Sequence, residues 1–219
     1  MPEPPRTALL IDYGGVLTTS VTRSFRAFCT ELGLPPELAK EAFVEAYSGP
    51  SGDGPVHRME TGEITVEEFG AGMAALLSQR SGIPVPADGL IGRLFALMEL
   101  DEEMLTAVAA AKRAGIRTAL LSNSWGSEGY PRDRFPALFD VVVISGEVGI
   151  RKPDPAIFDL TVERLGVDAQ QCVFVDDLDK NVVVAEAAGM AGVLHRKAAT
   201  TIPQLAALLA LDVGTLQTA

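Results

Sequence analysis

Several short apolar runs in this chain end abruptly at polar side chains that could take part in chemistry. A short apolar run bounded by glycine or turn residues is typical of a buried strand in a parallel sheet. Polar groups at or shortly after the ends of these runs belong to Asp12, Ser122, Asn123, Lys152, Asp176, Asp177 and Asn181. Because ligands of open α/β sheets bind outside the carboxyl ends of the strands, we expect these groups to converge on one cleft.

The chemistry that this set could perform is phosphoryl transfer beside a metal ion. Clustered carboxylates repel one another unless a cation joins them, and oxygen ligands with retained waters suit Mg²⁺. A phosphate next to the metal needs donors, which Ser122, Asn123, Lys152 and backbone N–H groups could supply. Asp12 is the best-placed nucleophile, and its attack on phosphorus would give an aspartyl phosphate. Lys152 would keep Asp12 ionised and neutralise charge in the transition state.

The elements that must position these groups alternate between strand and helix. Strands are predicted over residues 8–11, 116–121, 141–144, 172–175 and 191–194. Helices are predicted between the later strands and after the last one, over residues 101–114, 154–165, 181–188 and 203–211. This alternation predicts a parallel sheet covered by helices on both faces. Gly14 and Gly15, directly after Asp12, let the backbone turn sharply and approach a bound phosphate closely.

Residues 20–100 show helical spacing and no strand alternation. Helical patterns cover residues 25–32, 36–46, 65–77 and 90–100, and loops are predicted over residues 48–55 and 81–89. Thr65 with Glu68 forms the sequence pattern of a capping box. We therefore predict an α/β core domain over residues 1–19 and 101–219, with an all-helical domain inserted at residues 20–100.

Composition and charge limit the classes of function. The chain has 219 residues, 47% of them hydrophobic, and a net charge of -11, which argues against nucleic acid or an anionic membrane as a partner. Cys29 and Cys172 lack metal-ligand spacing and are expected as buried free thiols. No secretory signal opens the chain and no apolar run is long enough to cross a bilayer. We expect a cytoplasmic location, with the oligomeric state left open between monomer and homodimer.

Four segments together resemble one known family. In chain order they are Asp-Tyr-Gly-Gly-Val-Leu at 12–17, Leu-Ser-Asn at 121–123, Lys-Pro at 152–153 and Val-Asp-Asp with Asn-Val at 175–182. They resemble subfamily I of the haloacid dehalogenase superfamily, the branch with the phosphatase domain of soluble epoxide hydrolases and bacterial sugar-phosphate phosphatases. The resemblance covers residues 7–17 and 101–211. It implies a Rossmann-like core and a helical C1 cap that closes over the site and selects the substrate.

The resemblance also implies roles for individual residues. Asp12 would be the nucleophile and a metal ligand, and the backbone carbonyl of Gly14 would also reach the metal. Asp177 would be the main metal carboxylate, with Asp176 a second ligand or the partner of one. The phosphoryl group would be held by Ser122, Lys152 and Asn123. The implied function is a Mg²⁺-dependent phosphohydrolase that acts on a small phosphorylated metabolite.

One departure from the family pattern bears on the mechanism. Phosphatases of this family usually carry a second aspartate, a general acid and base, at the position of Gly14. Glycine transfers no proton, and loss of such a group typically removes ~10²–10⁴-fold in rate. Turnover is therefore expected to be slow, to use water or another side chain, or to be absent. Two alternatives stay open: a metal-independent 2-haloacid dehalogenase, and a non-catalytic protein that binds a phosphorylated ligand.

Five further residues have weaker interpretations. Trp125, the only tryptophan, is expected either to line the cleft or to pack. His57, Arg58 and Glu60 are expected in a solvated loop, and His195 at the surface end of a strand.

Overall fold

A single parallel sheet forms the centre of the computed structural model, which describes residues 6–48, 53–126 and 129–218. The strands are β1 (Ala8–Ile11), β2 (Arg117–Ser122), β3 (Val141–Ile144), β4 (Cys172–Asp176) and β5 (Ala191–Leu194). They are all parallel, in the order β3-β2-β1-β4-β5. Ile11 is in register with Leu120 of β2 and Val175 of β4. Asp12 therefore leaves the middle strand beside the ends of both its neighbours.

The helices lie between and after the strands in the chain. They are α1 (Val21–Glu31), α2 (Pro36–Tyr47), α3 (Pro55–Glu60), α4 (Val66–Ser81), α5 (Leu90–Phe95), α6 (Glu102–Arg113), α7 (Phe135–Leu138), α8 (Ser145–Val148), α9 (Pro155–Leu165), α10 (Asp179–Ala187), α11 (Ala198–Leu208) and α12 (Val213–Leu216).

Alternate residues of β1 point to opposite faces of the sheet. Leu9 and Ile11 pack in one apolar cluster with residues of α6 and α11, and Ala8 and Leu10 pack in another with residues of α9 and α10. The predicted α/β class, with helices on both faces, is confirmed.

Helices α1–α5 share an apolar cluster of their own, which includes Phe25 and Leu77 and is joined by Trp125 from the loop after β2. Thr18 and Leu100 form an antiparallel bridge where the chain enters and leaves this helical layer. The capping box of Thr65 and Glu68 at the start of α4 is confirmed. The division into two domains at residues 20 and 100 stays a prediction.

Two predicted boundaries are wrong, and one predicted loop lies partly outside the described residues. The helical pattern over residues 90–100 ends as a helix at Phe95, because Leu100 pairs with Thr18 instead. The last long helix begins at Ala198 rather than Pro203, which lies inside it, and α12 follows as a separate turn. The predicted loop over residues 48–55 ends where α3 begins at Pro55, and its residues 49–52 lie outside the described ranges.

Two predictions from composition can be compared with the structure. Cys29 and Cys172 are buried and free, as expected. Among the described residues, no helix has both the length and the apolar character needed to cross a bilayer.

Candidate active site

Lys152 lies at the centre of the polar cluster beyond the carboxyl ends of the strands. Its side chain is only 1% exposed. The Nζ atom lies 2.8 Å from Oδ1 of Asp12 and donates a hydrogen bond of 2.6 Å to Oδ2 of Asp176. Burial works against the ammonium charge, but the two carboxylates prevail and raise the pKa of Lys152. The loop after β3 thus brings a fixed positive charge between the ends of β1 and β4.

Asp176 is fully buried, and its carboxylate is already occupied by donors. Besides Lys152, it accepts hydrogen bonds from the backbone N–H of Leu178 at 2.9 Å and from Nδ2 of Asn181 at 3.0 Å. The other side-chain atom of Asn181, Oδ1, is buried without a hydrogen-bond partner among the described residues. Asp176 therefore orients Lys152, and Asn181 presents a free acceptor beside the cluster.

Negative charge exceeds positive charge in this cluster. Oxygen atoms of Asp12, Asp176 and Asp177 all lie within 4.8 Å of one another. Burial raises the pKa of Asp12 to about 8, opposed by Lys152 and reinforced by the other two aspartates. Burial and then Asp176 raise the pKa of Asp177 to about 6. Lys152 is the one cation in direct contact with these carboxylates in the described part of the chain, so the ionised cluster carries an excess of two negative charges.

This excess charge and this set of donors fit a divalent metal ion. Carboxylate and carbonyl oxygens are the ligands of Mg²⁺, which keeps several of its waters. The lone Oδ1 of Asn181 offers a hydrogen-bond acceptor for such a water. Asp12 and Asp177 lie where they could hold the ion, since Asp176 is taken up by Lys152 and Asn181.

The two glycines after Asp12 differ in what their backbone requires. Gly15 has a φ of 85°, and a Cβ atom there would overlap the carboxylate of Asp177. A side chain at Gly15 is therefore excluded by both conformation and space. A Cβ atom on Gly14 would make an ordinary contact of 3.5 Å with Val21 Cγ2. Only Gly15 is required by the geometry of the turn.

The polar residues after β2 are brought to the same edge. Asn123 holds the backbone of Lys152 through two hydrogen bonds, from Lys152 N–H to Oδ1 at 2.8 Å and from Nδ2 to the Lys152 carbonyl at 3.0 Å. Ser122 is buried, and its hydroxyl lies 2.8 Å from the hydroxyl of Tyr130. The Tyr130 ring packs 4.8 Å from that of Tyr13, between centroids. The structure thus brings together Asp12, Ser122, Asn123, Lys152, Asp176 and Asp177.

Glu60 is a site residue that the sequence analysis placed wrongly. It ends helix α3 and is 3% exposed rather than solvated. Its Oε2 accepts a hydrogen bond of 2.6 Å from Nε of Arg151, and its Oε1 accepts one of 3.3 Å from Nε1 of Trp125. Burial raises the pKa of Glu60, against the effect of Arg151. The carbonyl of Glu60 also accepts a hydrogen bond from Ser145, so α3 is fixed to the loops that carry Lys152.

The other weaker interpretations have mixed outcomes. Arg58 is half exposed and pairs with Glu63 at 2.7 Å, but it lies on α3 rather than in a loop, as does His57. His195 is buried, not at the surface, and its Nδ1 lies 2.9 Å from the hydroxyl of Thr201. Trp125 does both of the things expected of it, since it packs in the helical layer and lines the cavity described next.

A cavity of about 270 Å³ opens between the helical layer and the edge of the sheet. Asp12, Gly14, Lys152 and Asp177 line its floor, and aromatic side chains of α2 and the β2 loop line its wall. The Phe43 ring stacks on Trp125 at 6.2 Å with an interplanar angle of 12°, and it lies 4.9 Å from the Tyr47 ring. Charged side chains therefore line the floor of the cavity, and aromatic rings line part of its wall.

Comparison with known sequences agrees with this arrangement. A sequence model described as haloacid dehalogenase-like hydrolase matches residues 7–189. The chain belongs to this family. It is 32% identical to mouse acyl-CoA dehydrogenase family member 10 over 212 residues, and 31% identical to bifunctional epoxide hydrolase 2 of Sus scrofa over 213 residues. These matches cover 92% and 90% of this chain, but only 19% and 38% of the two relatives.

Solved structures of family enzymes share the fold. An enzyme of the haloacid dehalogenase family from Bacteroides thetaiotaomicron, in complex with magnesium and inorganic phosphate, superposes with a TM-score of 0.62 at 23% identity. That match covers 87% of this chain and 94% of the other. A haloacid dehalogenase-like protein from Porphyromonas gingivalis gives a TM-score of 0.66 at 22% identity, over 95% and 100% of the two chains. This chain is thus a haloacid dehalogenase-like hydrolase by sequence and by fold.

Proposed function

We propose that this hydrolase is a Mg²⁺-dependent phosphatase of a small phosphorylated metabolite, with Asp12 as its nucleophile. The observation that carries the proposal is the contact of 2.8 Å between Asp12 and Lys152, inside a group of three carboxylates that lacks balancing positive charge. A nucleophilic carboxylate needs to stay ionised, and a neighbouring ammonium favours its charged form. A cluster that serves only stability would gain nothing from excess buried charge.

Asp12, Asp177 and the backbone carbonyl of Gly14 would hold the metal, with Asp176 behind them orienting Lys152. Bound there, Mg²⁺ would neutralise charge on the phosphoryl oxygens as the reaction proceeds. Lys152 would supply further positive charge beside Asp12, and Asn123 would hold the Lys152 backbone in place. Ser122 and the backbone near Gly15 would donate hydrogen bonds to the phosphoryl oxygens.

The reaction would pass through two displacements at phosphorus. In the first, a carboxylate oxygen of Asp12 would form a bond to phosphorus while the bond to the leaving oxygen breaks, and that oxygen would keep the electron pair. In the second, the oxygen of a water would form a bond to phosphorus while the bond from phosphorus to the Asp12 oxygen breaks. The carboxylate would keep the electron pair, and inorganic phosphate would leave with the protons of the water. Lys152 touches Asp12 throughout and would stabilise the charge of both transition states.

Two relatives support a phosphorylated small molecule as the substrate. A glyceraldehyde 3-phosphate phosphatase of Methanopyrus kandleri and a phosphoserine phosphatase of Thermus thermophilus match 27% and 39% of this chain, at 47% and 37% identity. We further propose that residues 20–100 act as a cap domain, because their aromatic side chains line the cavity above Asp12. The cytoplasmic location and the choice between monomer and homodimer stay predictions.

The test is turnover of para-nitrophenyl phosphate with Mg²⁺ and with a chelator, by the wild type and by Asp12→Asn. We expect hydrolysis that needs the metal and is lost in the variant, because an amide does not attack phosphorus. The alternatives give different results. Halide release without metal would indicate a dehalogenase, and tight binding of a phosphate mimic without turnover would indicate a binding protein.

A further inference from the structure

The cavity above Asp12 holds few groups that could give a proton to a departing oxygen. Besides Asp12, the carboxylates in its described lining are those of Asp177 and Glu60. Asp177 belongs to the carboxylate cluster. Both oxygens of Glu60 accept hydrogen bonds, from Arg151 and from Trp125, whose nitrogen atoms have no acceptor capacity. Arg151 and Trp125 favour the ionised form of Glu60, against the effect of its burial on the pKa, and both donors hold its carboxyl group in place.

The other side chains that line the cavity and carry a proton are no better suited to act as a general acid. Lys152 is held between two aspartates. Ser20 and Thr22 are aliphatic alcohols, and burial raises the pKa of Tyr47 above its ordinary range. An efficient general acid has a pKa near the operating pH, which none of these hydroxyls has. Lys180 reaches the cavity from α10, but its side chain is exposed to solvent, where an ordinary ammonium is a weak acid.

Gly14, two residues after Asp12, has no side chain, although there is room for a Cβ atom at this position. It lines the same cavity, and a Cβ atom built on it would contact Val21 Cγ2 at an ordinary distance of 3.5 Å. Its backbone also lacks the positive φ that Gly15 has. Neither the space around Cβ nor the backbone conformation therefore requires a glycine at this position.

The aromatic wall of the cavity indicates the chemical nature of the leaving group. Phe43, Tyr47 and Trp125 form a continuous aromatic surface, in which the Phe43 and Trp125 rings are nearly parallel. Flat apolar groups pack well on such a surface, and a polyhydroxylated group would lose hydrogen bonds to water against it. The cavity volume of about 270 Å³ suits a small substrate.

On the basis of the phosphatase function above, we propose that the substrate is a small aryl, enol or acyl phosphate whose apolar part packs against Phe43, Tyr47 and Trp125. In these compounds the leaving oxygen departs as a weakly basic phenolate, enolate or carboxylate. When Asp12 forms its bond to phosphorus, the bond to this oxygen breaks and the oxygen keeps the electron pair. It needs no proton from the protein and, where it is basic enough, takes one from water after departure.

The experiment compares leaving groups that differ in basicity but share a ring. The substrates are para-nitrophenyl, phenyl and benzyl phosphate, with benzoyl phosphate as the acyl compound and glycerol phosphate as a polar alkyl ester. We expect kcat/KM to fall at least ~10²-fold from phenyl to benzyl phosphate, within the ~10²–10⁴-fold that a positioned general acid contributes. Glycerol phosphate should be poorer still, because it also loses the aromatic contact.

Matched variants at Gly14 then test whether the missing acid causes this difference in kcat/KM. Gly14→Asp places an acid beside Asp12, and Gly14→Asn has the same shape without the acidic proton. We expect the benzyl-to-phenyl ratio of kcat/KM to rise at least about tenfold in the aspartate variant relative to the asparagine variant. Glu60→Gln and Lys180→Met should leave this ratio as it is in the wild type, because neither residue protonates the leaving oxygen.

The outcomes separate this proposal from the function on which it rests. Equal kcat/KM for benzyl and phenyl phosphate in the wild type would overturn the leaving-group proposal and leave the phosphatase standing. A fall in the benzyl-to-phenyl ratio in Glu60→Gln or Lys180→Met would overturn it too, since that residue would then be the acid. No Mg²⁺-dependent turnover of any of the five compounds would overturn both.

Discussion

Replacing Lys152 with methionine tests whether the buried carboxylates that surround this lysine are ionised. The ammonium lies 2.8 Å from Asp12 and 2.6 Å from Asp176, and the side chain is 1% exposed. With three ionised carboxylates and one ammonium, the wild-type cluster has a net charge of -2, and the variant has -3. Removing one partner of a buried ion pair costs about 3–5 kcal/mol, because the other charge stays buried without compensation.

For a chain of this length, that loss corresponds to a fall in Tm of about 6–20 °C. Tm is measured by circular dichroism with a chelator, at a pH above the raised pKa of Asp12, and again with Mg²⁺. We expect Mg²⁺ to stabilise the variant more than the wild type, since the variant cluster is more negative, while turnover is lost. Lys40→Met, at an exposed position on α2, is the control and should change stability by about 0.5 kcal/mol or less.

The result that refutes this reasoning is a Lys152→Met protein within about 1 kcal/mol of the wild type, with the same response to Mg²⁺. The carboxylates would then be neutral or solvated without the lysine, and the charge argument for the metal would fail. A variant that unfolds at any Mg²⁺ concentration would contradict it as well, because the ion should replace the missing positive charge.

Three further changes have expected outcomes. Gly15→Ala should weaken Mg²⁺ binding in calorimetry and slow turnover at least tenfold, since its Cβ would displace the Asp177 carboxylate; unchanged affinity would contradict this. Glu60→Gln should destabilise the protein by about 1–3 kcal/mol in urea unfolding, because Arg151 loses its charged partner; a loss under 0.5 kcal/mol would mean that the pair contributes little. Asp140 has a pKa below its usual range, because hydrogen bonds and cations outweigh its burial. Its stabilising effect is therefore complete above the ordinary carboxyl pKa and is lost as the pH falls below ~4, so Asp140→Asn should flatten the acid limb of the stability profile.

The core and the floor of the site could be predicted from the sequence because their signals are local. The strands contain short apolar runs, and Asp12 and Asp177 come directly after two neighbouring parallel strands, so the parallel arrangement alone brings these two carboxylates together. The helix caps at Thr65 and Asp101 are likewise local patterns of a few residues. Inferences of this kind need no knowledge of how distant segments pack.

The position of Glu60 could not be predicted, because its partners are distant in sequence. Arg151 lies 91 residues away and Trp125 lies 65 residues away, so nothing near Glu60 marks it as buried. A charged residue is typically exposed unless it is paired. The burial of His195 depends in the same way on Thr201, contributed by the helix that follows. The end of α5 was missed because Leu100 pairs with a residue 82 positions earlier, at Thr18.

The pairing of Thr18 with Leu100 has a consequence for how this protein could be remodelled. Backbone hydrogen bonds of 2.9 Å join Thr19 to Glu99 and Asp101 to Leu17 on either side of it. Residues facing each other across an antiparallel pair have Cα atoms roughly 4.5–5.5 Å apart. The helical segment between Thr18 and Leu100 is thus attached through a junction narrow enough for a tight turn to close. A different module could be grafted at this junction, giving the same catalytic floor a new selectivity, with β1 and its neighbours left in place.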